Sequence, residues 1–387
     1  MKIRILQIIQ SRNAMSGRGG QEYFFYLLNY GLSALDGFEI TIITPGYNPL
    51  LEKLKERNIK ILYINFNNPN FFRSFKRFKS FISENKFDLI HTHDLLSNLF
   101  VYLTFKNKKN IINSVSSRYF VLMSMFMPFK TRFIKHIISY LEKKLFLFND
   151  FNICPTKNIM SDYLHLGVPP SKTSVIYPGL DYDNTLTNAE EKEKIRKKII
   201  GAESKKIKIV CLFGSFDRLR NGYDVYMKIV EEFKTKYPDS PVKFAVYGEQ
   251  SEQLQIYLNQ KNVAEDIAVV ENYYSPNDVI QAIDIMALPY RYCAFPLPLL
   301  KAQKFYKPVV ASETGIIPEI IYDGINGYLL PVADYVSFAE KIKNLAENEE
   351  LYKTMTENIK KSFKEFKLED MISKHSDIYR RLIELSN

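Results

Sequence analysis

The run Phe295-Pro296-Leu297-Pro298-Leu299-Leu300 offers chemistry at the start of an apolar helix. Two prolines suit the first turn, where backbone N–H groups are unpaired in any case. The remaining N–H groups, backed by the helix dipole, suit a diphosphate. Gly19-Gly20, opening the first helix of the chain, lets a ligand approach the backbone, although an ordinary tight turn explains a bare glycine pair at least as well. Cations stand at Arg218 and Arg220 in the run Gly214-Ser215-Phe216-Asp217-Arg218-Leu219-Arg220-Asn221-Gly222. A guanidinium matches phosphate geometry, and the alternative is a solvated arginine pair on a loop. His91 and His93 end a strand-like run, and as bare residues they fit satisfied structural histidines better than catalysts. No carboxylate–histidine spacing suggests a metal site, and no cofactor is implied.

These residues must be held by strands and helices in alternation. Strand-like runs fall at Ile3–Ile9, Ile40–Ile43, Ile59–Ile64, Leu89–His91, Ile111–Val115 and Asn152–Cys154, each pair separated by enough chain for a crossover helix. A second series follows at Ile207–Phe213, Val242–Tyr247, Ile267–Val270, Ile285–Leu288 and Val309–Ser312, and the chain ends in helices from Tyr335 to Leu385. Alternation of this kind implies two doubly wound parallel sheets, an α/β fold, with a cleft between them and ligands beyond the carboxyl ends of the strands. The polar, turn-rich stretch after Pro178 places the boundary there. The division expected is residues 1–181, a linker over 182–206, a second domain over 207–368, and a last helix over 369–387.

Composition agrees with a two-domain globular protein: 387 residues, 46% hydrophobic and 25% charged. Cys154, Cys211 and Cys293 lie far apart without a CxxC pair, which excludes a disulfide framework and a zinc site of usual spacing. A reduced, cytoplasmic protein is expected, with no signal peptide in Met1–Gln10 and no run long enough to span a bilayer. The formal net charge of +10 is uneven. Residues 1–181 carry 24 basic and 12 acidic side chains, and residues 182–387 carry 29 and 31. A one-sided positive field points to an anionic partner for the first half; general lysine richness would have raised both halves.

The segment Tyr290–Pro331 resembles the donor-binding domain of retaining family 4 glycosyltransferases, which have the GT-B fold of two facing Rossmann-like domains. The resemblance rests on Phe295–Leu300, Lys307–Ser312, Pro318-Glu319 and Asp323–Leu329, four motifs in the family's order. Gly19-Gly20-Gln21-Glu22, Asp88-Leu89-Ile90-His91-Thr92-His93 and Gly167–Asp181 match further family segments, so the resemblance covers nearly the whole chain. It implies a nucleotide-sugar donor bound by the C-terminal domain and a glycan acceptor met by the N-terminal domain. It also implies a final helix that crosses back to the N-terminal domain and a reaction without a metal. On this resemblance Gly214, Ser215, Asn221, Gly248, Glu249 and Cys293–Lys301 (Cys293, Ala294, Phe295, Pro296, Leu297, Pro298, Leu299, Leu300 and Lys301) form the donor side. Gly19, Gly20 and His91 line the acceptor side, and Arg218, Arg220, Ser116 and His93 are the catalytic candidates.

The donor signature departs from the family. Its two glutamates, one for sugar hydroxyls and one for ribose, are Cys293 and Lys301 here, and an ammonium accepts no hydrogen bond. The family's arginine and lysine on the diphosphate are Ser215 and Asn221, which leaves Arg218 and Arg220 as substitutes. Ser116 replaces a histidine that faces the donor sugar. The expected activity is transfer of a hexose-type sugar to a cell-surface glycan precursor such as lipopolysaccharide, capsule or another lipid-linked glycan. The alternative is a catalytically silent GT-B subunit or a glycan-binding partner of another glycosyltransferase.

Phe71–Phe81 interleaves aromatics with cations, and Arg118–Phe148 sets Phe133, Ile134, Ile137, Ile138, Leu141 and Leu145 at helical spacing among lysines. The second stretch resembles an interfacial amphipathic helix; a helix packed on the sheet with a solvated basic face is the other reading. Aromatics among cations also suit single-stranded nucleic acid, but no nucleic-acid motif is present. The expectation is peripheral contact with the anionic inner face of the cell membrane.

Overall fold

The computed structural model describes residues 2–10, 20–67, 70–105, 110–115, 132–180, 186–201, 206–217, 220–248, 252–270 and 274–386. Strand β1 (Ile3–Ile8) shows how the first unit is layered. Successive side chains of a strand point to opposite faces. Ile5 and the adjoining Ile9 enter one apolar cluster, Leu6 and Ile8 another, so the strand is buried on both sides. The unit continues through α1 (Gly20–Ser33), β2 (Phe38–Thr44), α2 (Pro49–Glu52), β3 (Lys60–Tyr63), α3 (Phe71–Glu84), β4 (Leu89–Thr92) and α4 (Leu95–Thr104). It closes with β5 (Ile111–Ser114), α5 (Arg132–Phe148), β6 (Phe151–Cys154), α6 (Lys157–His165) and β7 (Thr173–Val175). Among the described residues the strands form one seven-stranded parallel sheet in the order β3-β2-β1-β4-β5-β6-β7.

The second unit starts with α7 (Ala189–Ile200), then runs β8 (Lys208–Phe213), α8 (Tyr223–Lys236), β9 (Val242–Tyr247), α9 (Glu252–Gln260), β10 (Ile267–Val270), α10 (Pro276–Ala282) and β11 (Ile285–Leu288). It ends with α11 (Leu297–Lys304), β12 (Val309–Ser312), α12 (Ile317–Ile320), β13 (Tyr328–Leu330), α13 (Tyr335–Glu347) and α14 (Glu349–Ser362). Its six-stranded parallel sheet has the order β10-β9-β8-β11-β12-β13 among the described residues. The last helix, α15 (Leu368–Ser386), belongs to the first unit, where Met371 and Tyr379 are buried beside α1.

The units are residues 1–182 with 366–387, and residues 183–365. Part of the stretch read as a linker is therefore structured. Asn188 caps α7, Ile195 and Ile199 are buried in the second core, and the Arg196 guanidinium reaches the carbonyls of Ala282 and Ile207 at 2.8 and 2.9 Å. Charged residues on three sides of that helix hide the two isoleucines that bury it. The second unit also ends earlier than expected: Leu180 N–H donates to the Phe366 carbonyl at 2.8 Å, and the Phe366 ring meets Tyr177. Strands β7 and β13 were not expected. Each is three residues long, too short for an alternating pattern to register.

Candidate active site

In the second sheet β8 lies between β9 and β11, so the chain reverses its direction of winding between β8 and β11. Loops leaving the carboxyl ends of strands at such a switch point form the natural ligand crevice of an open α/β sheet. Both loops that carry donor candidates leave there: Gly214–Asn221 after β8, and Tyr290–Phe295 after β11. They are bound to each other. Tyr290 donates its hydroxyl to the Phe213 carbonyl, and Arg291 N–H donates to the Arg220 carbonyl at 3.1 Å. Arg291 is held in turn by both Asp224 oxygens, at 2.6 and 3.2 Å. Gly248 closes the floor, since a Cβ there would stand 2.3 Å from the Gly214 carbonyl.

Within this crevice the side chains divide by what they touch. Asn221 gives its amide to the Ser215 carbonyl at 2.9 Å, so it shapes the loop from within, and Ser215 is exposed. Arg220 anchors its N–H on Asp217 and extends an exposed guanidinium. That charge acts on Cys293: burial pushes the thiol up to about 12, against the opposing pull of Arg220 and a hydrogen bond from the Phe295 N–H. The same burial, opposed by the same arginine, raises the Tyr290 hydroxyl. Ala294 accepts from the Ile316 N–H at 3.2 Å. Of the six residues Phe295–Leu300, Pro296 and Pro298 have no N–H, Phe295 spends its own on sulfur, and Leu299 donates to the Pro296 carbonyl. Leu300, a full turn after the Pro296 cap, bonds its N–H within the helix, so the expected row of donors narrows to the Leu297 N–H group. Leu299 and Leu300 turn their side chains into the core, while Lys301 is half-buried one turn into α11. Arg218 and Glu249 lie outside the described residues.

The first unit repeats the arrangement, because β1 lies between β2 and β4. Gln7 and His91 sit side by side in the β1–β4 register, on the face that α1 and α15 cover. A chain of hydrogen bonds follows. The Gln7 amide donates to Tyr379 Oη at 3.2 Å, and His93 Nε2 lies 2.7 Å from the Gln7 amide oxygen. An amide oxygen only accepts, so His93 carries its proton on Nε2. Tyr379, accepting from Gln7, gives its own proton to His91 Nδ1 at 2.6 Å, and His91 Nε2–H donates to Ser114 Oγ at 2.7 Å. His375 joins through its Nδ1 bond to the Met371 carbonyl, with its ring 5.9 Å from that of His91. Burial holds all three imidazoles below the usual histidine range, His375 at about 4. His91 therefore has both nitrogens occupied, and His93 has one. Gly20 begins α1, and Gln21 in the same turn donates to the His93 carbonyl. Gly19 and Ser116 lie outside the described residues. Among the described residues no group of three or more His, Cys, Asp or Glu side chains is placed to hold a metal ion.

Gln7 and Tyr379 were missed in the sequence, as were Tyr290 and the Arg291–Asp224 pair. A glutamine inside the isoleucine run of β1 was the one visible signal: a fully buried polar side chain must find a partner.

Comparison with known proteins gives the geometry its family. Residues 18–184 match the model of Glycosyltransferase Family 4, and residues 207–348 match the model of Glycosyl transferases group 1. This chain belongs to the family 4 glycosyltransferases. An uncharacterized glycosyltransferase of Methanocaldococcus jannaschii is 26% identical over 94% of this chain and 95% of its own. An uncharacterized protein in the cps region of Klebsiella pneumoniae is 26% identical over 76% of this chain and 79% of its own. HepE of Anabaena, crystallised in complex with UDP-glucose, shares the fold with a TM-score of 0.74 at 15% identity, over 98% of this chain and 100% of that one. The two parallel-sheet units are those of GT-B glycosyltransferases, and the protein is a glycosyltransferase.

Two of the family's motifs are scaffold in this glycosyltransferase. Asn326, in the Asp323–Leu329 loop, is buried; it accepts from Tyr322 N–H at 2.7 Å and donates to the Ile320 carbonyl and Ser362 Oγ. Lys307 is half-buried, and its ammonium donates to the carbonyls of Gln281 and Ile283 at 3.0 and 2.7 Å. Burial lowers its pKa to about 8. Such residues identify the fold by tying its loops and strands together.

Proposed function

We propose that this glycosyltransferase moves a hexose-type sugar from a nucleotide-sugar donor to a lipid-linked precursor of a cell-surface glycan. It does so with retention of configuration, at the inner face of the membrane. The observation that carries the donor half is Arg220, an exposed guanidinium at the β8–β11 switch point beside Cys293. A leaving diphosphate concentrates negative charge, and a preplaced cation with backbone N–H groups stabilises it as it forms. The Leu297 N–H group at the start of α11 adds to that field. With Cys293 and Lys301 in place of carboxylates, donor hydroxyls lose their acceptors, so recognition rests on the diphosphate more than on the sugar. The protein's work is then charge stabilisation and positioning, and the reading calls for no cofactor and no metal. The UDP-glucose bound by HepE and the cps setting of the Klebsiella relative support the choice of donor class and glycan.

Calorimetry against a panel of nucleotides and nucleotide sugars tests the reading. At least one nucleotide diphosphate sugar is expected to bind, and Arg220→Ala to reduce kcat/KM with it by about 10²-fold. A stable protein that binds no member of the panel would overturn the proposal; unchanged turnover in the variant would remove Arg220 from it.

A further inference from the structure

Helices α3, α4 and α5 cover one face of the first sheet, and their outer side differs from that of the α1–α15 layer. Strand β3 is the sheet's edge strand, and α3 flanks it. A groove of 450 Å³ opens there. Leu62, Ile64 and Phe81 form an apolar floor, and Arg73, Lys76 and Arg77 form the rim. Glu84, the carboxylate that lines it, already accepts from Ser80 at 2.7 Å. The three rim cations and the neighbouring Lys79 make no ion pair among the described residues. Beside them Phe72 is 85% exposed, a high cost for a phenylalanine with nothing to cover it.

Helix α5 adds a second, independent observation. Glu142, Leu145 and Phe146 face inward, whereas Ile137, Tyr140, Leu141 and Lys144 are exposed. Their spacing of i, i+3, i+4 and i+7 makes them one stripe. The Lys144 ammonium sits over the Tyr140 ring at 5.2 Å. Helix α5 packs on α4, whose Tyr102 ring meets Phe148 edge to face at 5.0 Å. Apolar side chains and unpaired cations thus share one layer. The exposed side of α15 in the other layer instead mixes Glu369, Asp370, Asp377 and Glu384 with Lys374 and Arg381.

We infer that the α3–α4–α5 layer docks on a lipid bilayer, with the groove between β3 and α3 seating an anionic headgroup phosphate through Arg73, Lys76 and Arg77. The inference rests on the lipid-linked acceptor proposed above and names the surface that meets the lipid. Exposed aromatics and aliphatics enter the interface while the cations meet phosphates at its border, and the two attractions add. An amphiphilic anion also fits the groove itself, its tail on the apolar floor and its phosphate at the rim.

Flotation with neutral phosphatidylcholine vesicles, and with vesicles that also carry phosphatidylglycerol, tests this on the full chain. The protein is expected to prefer the anionic vesicles. Arg73→Gln, Lys76→Gln and Arg77→Gln together are expected to weaken that partition about a hundredfold, near fivefold for each lost cation. Lys374→Gln with Arg381→Gln, on the opposite layer, is expected to change nothing. Ile137→Ser with Leu141→Ser is expected to reduce binding to both vesicle types. Equal partition of the triple variant and the wild type would overturn the headgroup seat, and failure of the wild type to float with either vesicle would overturn the docking surface. Displacement from the anionic vesicles by millimolar glycerol 3-phosphate would assign the groove to a soluble phosphate and overturn the membrane assignment. Nucleotide-sugar binding by the same preparation is read separately, so either proposal can fail while the other stands.

Discussion

At Cys293 the protein places a thiol that burial keeps protonated, so the crevice holds a weak donor where the family has a charge. Arg220 thereby faces no fixed anion at that position and keeps its field for a ligand. The same corner depends on Gly315, whose φ of +56° lies in the left-handed region. A Cβ there would stand 1.5 Å from the Cys293 carbonyl. Gly315→Ala is expected to cost about 3 kcal/mol, from backbone strain plus displacement of the Cys293–Ala294 turn, and to weaken donor binding with it. Gly324 also has a positive φ, of +71°, but nothing within 4 Å of an added Cβ. Gly324→Ala is expected to cost only about 1 kcal/mol, the strain alone. Urea unfolding of the two variants checks the contrast, and equal losses would defeat the steric argument.

At the scale of elements, α15 is fastened to β1 and β4 by polar groups as much as by apolar ones. Gln7, His91, His93 and Tyr379 form one hydrogen-bonded chain across three elements, with His375 packed beside it. The network needs neutral imidazoles. Unfolded histidines take up a proton below about pH 6.5, whereas these three stay neutral further into acid, His375 to about pH 4. The unfolded chain therefore binds more protons over that window, and stability falls as pH drops through it. Each histidine contributes a slope of about 1.4 kcal/mol per pH unit. Urea unfolding of the first unit from pH 7 to pH 5 is expected to show this steep loss, and His375→Gln to reduce the slope. A flat profile would mean that the imidazoles are already charged or open to water.

At the scale of the whole molecule, residues far apart in sequence complete one unit, and deletion exposes the dependence. Removing residues 368–387 strips Tyr379 from Gln7 and His91 and uncovers the α1 face of the first core. Hydrogen exchange is expected to lose protection in β1 and β4 while β8 and β11 keep theirs; equal loss in both sheets would contradict the division into units. Both parallel sheets, their central strands and the family were legible in the sequence, because continuous isoleucine–valine runs and ordered motifs are local signals that neighbouring residues carry together. The excess of +12 on residues 1–181 was legible as well, as a count. The tertiary structure decided where that charge acts. It left α3 beside the sheet's edge strand, turned Ile137 and Leu141 outward while Leu145 went inward, and separated exposed Arg220 from Asn221, which serves its own loop. Helical spacing places an apolar residue on a face, but only the packing of other elements determines whether that face is covered. By the same reasoning Gln7 announced that it needed a partner, and the fold alone brought it Tyr379 from 372 residues away.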